Sequence, residues 1–256
     1  MMLKYFVIAI LIFSSFSCQT QNAQKTDNSA DNKIDSISNS IVNAKPSENV
    51  KSIVETFTDK SNIGVPRANK IELSEVTGAE HNVVEIKFYS LTKDKTWKLK
   101  QTFNRTKYGF LSSEMKLEDF NNDGFKDVTF VSDIAARGAN EIRELLIYAK
   151  KDDQLVHIKN SGDYPNLLYS KDLDCIDSQA ITGSSEITFL KIEGDRLKEF
   201  ASVETSNTVN ERRVYLIDKN GSKKLLQTDK ISEDEIFERY KTFNPPTTYT
   251  AKELEQ

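Results

Sequence analysis

Cysteine, proline, glycine, histidine and tryptophan are all scarce in this 256-residue chain, at 2, 5, 9, 2 and 1 residues. Two cysteines exclude the disulfide framework that staples small exported domains. Two histidines leave no zinc spacing and no Ser-His-Asp or Cys-His set, and no Gly-rich phosphate loop is present. His81 near a turn and His157 in a strand-like stretch read as surface or packing residues, so the chain is not expected to be an enzyme. Charge of one sign is lacking too: 35 Lys and Arg stand against 39 Asp and Glu, net −4, which argues against nucleic acid as a partner. No apolar run reaches the ~20 residues that a membrane-spanning helix needs.

The one apolar run present, residues 5–13 (YFVIAILIF), follows Lys4 and leads through Ser14, Ser15, Phe16 and Ser17 to Cys18. A basic start, a short apolar stretch and a small residue before a Cys describe an export signal, not a structural element. Residues 1–17 are expected to be removed and Cys18 acylated, a lipid anchor in the membrane. The alternative, ordinary secretion with cleavage near Ser17, leaves Cys18 as a free thiol. Gln19 after the anchor is not the Asp that retains lipoproteins in the inner membrane, so an outer-membrane site facing the periplasm is expected. Cys175 then has no partner in the chain and, in the alternating stretch Asp174-Cys175-Ile176-Asp177, reads as a small buried hydrophobe.

Residues 18–65 read as a flexible tether, rich in Ser, Asn, Asp, Lys and Gln and too poor in large apolar residues to offset the entropy of ordering. A helical turn around Ile53, Val54 and Phe57 is the one local signal in it. Residues 66–246 read as the folded domain and 247–256 as a tail. Four hairpins are expected there, turning at residues 92–95, 151–153, 193–195 and 219–221; Asn220-Gly221 predicts a type I′ turn, with positive φ at both positions. Trp97 alternates with polar neighbours and reads as core. The fold expected is all-β: an antiparallel meander of hairpins forming a β-propeller-like or open barrel or sandwich domain. One short C-terminal helix is expected from Ser232 and Glu235, a capping box before Ile236, Phe237 and Tyr240, and Pro245-Pro246 stops it.

The most specific chemical signal is residues 119–127 (DFNNDGFKD). Asp119, Asn121, Asp123 and Asp127 place side-chain oxygens at loop positions 1, 3, 5 and 9, Gly124 allows the sharp turn, and the carbonyl of Phe125 adds an oxygen at position 7. A hard cation such as Ca²⁺ takes six to eight oxygens, and alternate residues of a tight loop aim inward. Position 12 is Phe130 rather than an acid, so this is not an EF-hand; the loop resembles the calcium loops of the FG-GAP and dockerin-like class. Its expected role is structural, with a metal-free Asx-rich turn as the alternative. Acidic pairs Asp172/Asp174 and Asp174/Asp177 read as solvated strand ends rather than a glycosidase pair.

Residues 115–205 resemble the periplasmic lysozyme-inhibitor-like proteins, which include immunity proteins against secreted peptidoglycan hydrolases. The features carrying the resemblance are the 119–127 loop, the Arg137-Gly138-Ala139-Asn140 loop before the 145–148 strand, residues 164–169 (YPNLLY), and the strand around Cys175. The resemblance implies a non-enzymatic protein whose loops enter the cleft of a lysozyme-like enzyme. The family's Ser-Gly-x-x-Tyr motif has its nearest match in Ser161-Gly162-Asp163-Tyr164, one residue shorter and with an added acid. Arg137, Asn140, Ser161, Gly162 and Tyr164 are thus the candidate partner-binding residues. A glycan- or surface-binding role, or a structural one in the envelope, is the rival expectation. The anchor is tested directly: Cys18→Ser is expected to abolish incorporation of labelled fatty acid and to move the protein from the membrane to the soluble fraction.

Overall fold

β-Branched and aromatic residues at period two dominate the chain after residue 52, and the computed structural model turns them into strands; it describes residues 52–239 except Phe110 and Asp172. β1 (Ile53–Asp59), β2 (Asn69–Val76), β3 (Asn82–Leu91) and β4 (Trp97–Lys107) form sheet 1. β5 (Lys116–Glu118), β6 (Asp127–Ala135), β7 (Asn140–Ala149) and β8 (Gln154–His157) form sheet 2. β9 (Leu168–Ser170), β10 (Cys175–Ile181), β11 (Ser185–Glu193), β12 (Arg196–Ser206), β13 (Glu211–Ile217) and β14 (Lys223–Lys230) form sheet 3. Each sheet keeps chain order and pairs antiparallel, so all three are meanders. None closes into a barrel; of the closures open to the sequence, this one is a sandwich.

Sheet 2 is the middle layer. Val128, Phe130, Leu146 and Tyr148 on one face pack against Ile71, Leu73, Val84, Ile86 and Phe88 of sheet 1. Leu145 and Ile147 on the other face, with Phe120 and Ile158, pack against Ile176, Leu190 and Leu197 of sheet 3. The remaining apolar face of sheet 3, including Ile187, Phe189, Val203 and Val214, is crossed by the C-terminal segment. There Thr205 Oγ1 donates to Ile236 O (2.7 Å), Gln179 Nε2 donates to Phe237 O (3.0 Å), and the Arg239 guanidinium binds Asp177.

Side-chain carboxamides join the layers where backbone pairing stops. Gln101 of β4 donates to Leu155 O (3.0 Å) and accepts from Leu155 N (2.7 Å), acting as one more rung between sheets 1 and 2. Asn140 does the same to Ile181 (3.1 and 2.9 Å), and Asn160 to Leu197 (2.9 and 2.8 Å), between sheets 2 and 3. An amide group carries both a donor and an acceptor, so it can replace a peptide unit in a ladder.

Four expectations are corrected. The domain starts before residue 66: β1 lies inside the expected tether, and Ile63 is fully buried. β1 turns a single apolar residue inward, Phe57, and such a strand shows no clear period. The C-terminal helix is only a 3₁₀ turn at Glu233–Glu235 among the described residues, although its capping box forms. The carbonyls of Ile236 and Phe237, which would begin to feed a longer helix, are taken by Thr205 and Gln179 instead. Asn220 does not have positive φ; Gly221 alone does (81°), and Asp218 Oδ1 accepts from Asn220 N and Ser222 N to close a three-residue loop. Trp97 is half-buried on the outward face, not in the core.

The last correction has a cause in the β3–β4 ladder. Phe88 pairs with Gln101 but Tyr89 pairs with Leu99, leaving Lys100 as the extra residue of a β-bulge. A bulge inverts the side-chain alternation beyond it. Gln101, Phe103 and Arg105 therefore point toward sheet 2, whereas Leu99 and Trp97 share the outer face with Tyr89 and Lys70.

At the other end of sheet 1, Lys107 and Glu75 form an ion pair of 2.7 Å, with side chains 1% and 2% exposed. Ser113 Oγ and Asn82 Nδ2 also donate to Glu75 (2.7 and 2.6 Å), and Lys107 donates to Leu111 O. The carboxyl of Glu75 is held below its usual range by these donors against its own burial, which opposes the shift. Breaking such a pair strands a buried charge, whereas replacing both partners with apolar groups does not. Lys107→Ala is expected to cost about 3–5 kcal/mol in urea unfolding, and the double Glu75→Leu, Lys107→Met variant distinctly less.

Candidate functional site

The 119–127 loop leads from β5 into β6, and its acidic side chains fold back on its own amides. Asp119 accepts from Asp123 N (3.2 Å) and Gly124 N (2.9 Å), and Asp123 accepts from Phe125 N (2.9 Å). Asn121 links to Asp123 Oδ2 at 3.0 Å, and Gly124 takes φ +87° with open space where a side chain would stand. Asn122 reaches across to Asp174 Oδ1 (3.1 Å), which also accepts from Tyr169 OH (2.6 Å). Asn121 and Asp123 lie on the surface, Asp119 and Phe125 are half-buried, and Asp127 is fully buried.

Asp127 is the pivot. Its Oδ2 accepts from Phe120 N (2.7 Å) at the loop's start and its Oδ1 from Tyr148 N (2.8 Å) on β7. Burial pushes its carboxyl up to about 7; the two amides oppose this, and the charges of Asp123 and Asp119 add to it. Among the described residues no group of three acidic, His or Cys side chains is disposed to hold an ion as it stands. The donor set nevertheless has the chemistry of a calcium loop. It carries three carboxylates with lone pairs to spare, an amide oxygen at Asn121 and a free carbonyl position at Phe125.

The candidate partner residues separate into two kinds. Ser161 is fully buried, its Oγ accepting from Leu145 N (3.0 Å), and Asn140 is the buried bridge to Ile181. Tyr164 is half-buried and donates to Glu199 (3.1 Å), and Gly162 lies half-buried near Glu144 and Ile142. Ser161 and Asn140 cannot touch a partner without opening the layers, and the hydroxyl of Tyr164 is already engaged. Arg137 is the opposite case: it sits exposed on the β6–β7 tip, where Ala136, Arg137 and Gly138 take φ of 49°, 57° and 99°.

Three left-handed residues in a row, two of them bearing a Cβ, store strain that only the surroundings can maintain. The surroundings here are Asn166, which sequence reasoning passed over except as part of the Tyr-Pro-Asn segment. Its Oδ1 accepts from Glu141 N (3.0 Å), and its Nδ2 donates to Ala139 O (2.9 Å) and Gln179 O (2.8 Å). Asn166 itself has φ 53°, a conformation Asn tolerates better than most residues. Asn140 below completes the support, so the tip is held from both sides of its base.

Other candidates are accounted for by packing. Cys175 is buried, and burial first, then the charge of Asp177, pushes its thiol up to about 12. Asp174 serves Asn122 and Tyr169, and Asp177 serves Arg239. His157 bridges sheets 1 and 2: Arg105 donates to Nδ1 (2.9 Å), which leaves Nε2 to donate to Glu144 (2.5 Å). His81 packs against Tyr108 with ring centres 4.7 Å apart and the ring planes tilted at 60°.

No family model matches the chain, and no curated protein does. One solved structure, described as "Structure of a Xanthomonas Type IV Secretion System related protein", is similar at 10% identity and a TM-score of 0.44, covering 67% of this chain and 93% of that one. At that score the likeness decides nothing about what this chain does.

The support of the tip is open to test. Asn166→Ala leaves two part-buried backbone groups, Glu141 N and Gln179 O, without their side-chain partner, each worth up to about 1–3 kcal/mol. It is expected to lower stability by roughly that amount and to speed amide exchange at Glu141 and cleavage within residues 136–139 by added protease.

Proposed function

We propose that this chain is a non-enzymatic, lipid-anchored envelope protein that binds and inhibits a lysozyme-like cell-wall hydrolase, with the β6–β7 tip as its inserting element. The observation that carries the reading is the exposed Arg137 on a strained, doubly supported tip. A loop already held in its final shape loses little entropy on binding. A guanidinium presents a planar fork that matches a carboxylate with two hydrogen bonds, and hydrolases of this class work with paired carboxylates in a cleft. In this reading Arg137 replaces Ser161 and Tyr164 as the contact, because those two serve the packing between sheets. The anchor at Cys18 would keep the domain on the membrane, in the outer membrane facing the periplasm.

The same reading gives Ca²⁺ a structural task. Asp119, Asn121, Asp123, Asp127 and the Phe125 carbonyl would hold it, and the ion would supply positive charge beside carboxylates that now oppose one another. These residues tie the loop to β7 through Asp127, so the benefit would be stability of the middle sheet rather than contact with the partner.

Two measurements test the reading. Against a panel of lysozyme-type hydrolases, Arg137→Glu is expected to weaken inhibition at least a hundredfold with the melting temperature unchanged, the size of effect typical of a central arginine. A panel that the wild-type protein neither binds nor inhibits would remove the proposal. For the ion, calcium at about a hundred times its Kd adds about 2.7 kcal/mol, or roughly 5–10 °C in Tm for a domain of this size. Chelator should reverse the shift, and Asp123→Asn should abolish it; a curve unmoved by either leaves the loop metal-free.

A further inference from the structure

The β3–β4 hairpin tip combines features that neither the core nor the Arg137 surface uses. The bulge at Lys100 turns Trp97 and Leu99 outward beside Tyr89, and Leu91, opposite Trp97, ends β3. Leu99 is 46% and Leu91 38% exposed, and Trp97 is half-buried. Lys93 and Lys95 stand exposed in the turn beside them, and Lys98, paired with Ser90, is exposed on the other face of the same hairpin; none has an ion pair to a carboxylate among the described residues. Lys100 is engaged by Asp153 at 3.3 Å, and Lys70 by Glu72 at 2.7 Å while lying over the Tyr89 and Trp97 rings. Lys150 and Lys151 of the adjoining β7–β8 turn are exposed at the same end. Asp94 and Asp152 are the opposing charges there, together with Asp153 and Glu72, which Lys100 and Lys70 engage. Among the described residues, this tip thus places three lysines without an ion pair on one hairpin that also carries an outward apolar cluster.

We propose that this tip docks on an anionic phospholipid bilayer, Trp97, Leu91 and Leu99 entering the interface while Lys93, Lys95 and Lys98 reach the headgroup phosphates. Tryptophan with leucine beside lysine is the composition of an interfacial element. The ring sits at headgroup depth, and lysine buries its stem while its ammonium stays among phosphates. Basic residues near an anionic surface add attraction that a neutral bilayer lacks.

Geometry also orients the domain. Lys100 and Ser90 meet Asp153 at the hairpin end, whereas Tyr108 N donates to Ser132 O near the Arg137 end. The two surfaces therefore lie at opposite ends of the layers, and a docked tip points Arg137 away from the membrane. β1 begins at the Arg137 end, with Ile53 paired to Val76. At about 3.3–3.6 Å per residue, the sequence between Cys18 and Ile53 is long enough for an anchor at Cys18 to permit this orientation. The proximity of a bilayer rests on the anchored reading above; the docking itself does not depend on hydrolase inhibition.

Trp97 is the chain's single tryptophan, so its emission reports on the tip alone. The full chain, purified from membranes, is reconstituted with calcium into vesicles of phosphatidylcholine, alone or with about a third phosphatidylglycerol. Expected are a blue shift and quenching by brominated acyl chains in the anionic vesicles only, both reversed by salt at about 1 M. The triple variant Lys93→Glu, Lys95→Glu, Lys98→Glu should weaken docking on the order of a hundredfold with its melting curve unchanged. Equal emission in both vesicles, or a triple variant that docks like wild type, would overturn the proposal. So would a shift with purified peptidoglycan and none with anionic lipid, which would assign the tip to the wall polymer. Failure to incorporate into either vesicle falsifies the anchor, and loss of hydrolase binding with quenching intact falsifies the inhibitor reading alone. In the first case, adding the unanchored Cys18→Ser chain to the same vesicles still decides the docking.

Discussion

Sheet 2 is apolar on both faces, and that constraint organises the rest of the molecule. A sheet with one apolar face needs one cover, but Leu146 and Tyr148 face one way while Leu145 and Ile147 face the other. Two further layers must follow, one supplied by the chain before it and one by the chain after it. Sheet 3 presents a second apolar face of its own, and the C-terminal segment is held on that side by hydrogen bonds from Thr205 and Gln179 and by Asp177. The layers are thus added in chain order, each covering the surface its predecessor leaves open.

Apolar burial sets which faces meet, but it has no direction and cannot fix how far one sheet slides over another. The carboxamides of Gln101, Asn140 and Asn160 supply that information. Each forms a donor–acceptor pair with a single residue of the next sheet, so a slip of one residue would break both bonds at once. Asp127 works in the same sense within sheet 2 and its loop, accepting from two amides that are far apart in sequence. The proposed functional surfaces hang from these polar points: the Arg137 tip from Asn140 and Asn166, and the acidic loop from Asp127.

The all-β class and the hairpins were legible because alternation and turn residues are local signals, and the turns at 92–95, 151–153, 193–195 and 219–221 all join the expected strands. What escaped was non-local. Trp97 and Leu99 keep perfect alternation with Gln101 and Phe103 in sequence, and only the bulge at Lys100 sends them to opposite faces. β1 was hidden because it buries one apolar residue, and the late helix was overstated because its capping box is genuine while the carbonyls beyond it are claimed by sheet 3. In the site, the spacing of 119–127 marked a loop whose Asp119 and Asp123 side chains accept from its own amides, but the sequence could not show that Ser161 and Asn140 face inward. Polar residues beside a loop look alike whether they meet solvent or a neighbouring strand.

The amide bridges also set how this molecule would age. Hydrolysis of a side-chain amide turns Asn or Gln into an acid, keeping the acceptor but replacing the N–H donor with a charged oxygen. At Asn140 that oxygen would face the carbonyl of Ile181, and at Asn160 the carbonyl of Leu197. One uncharged rung would become a repulsion buried between layers, where water cannot screen it. A single spontaneous chemical event at either position would therefore begin to part sheets 2 and 3 from within, leaving every hydrophobic contact in the sequence unaltered.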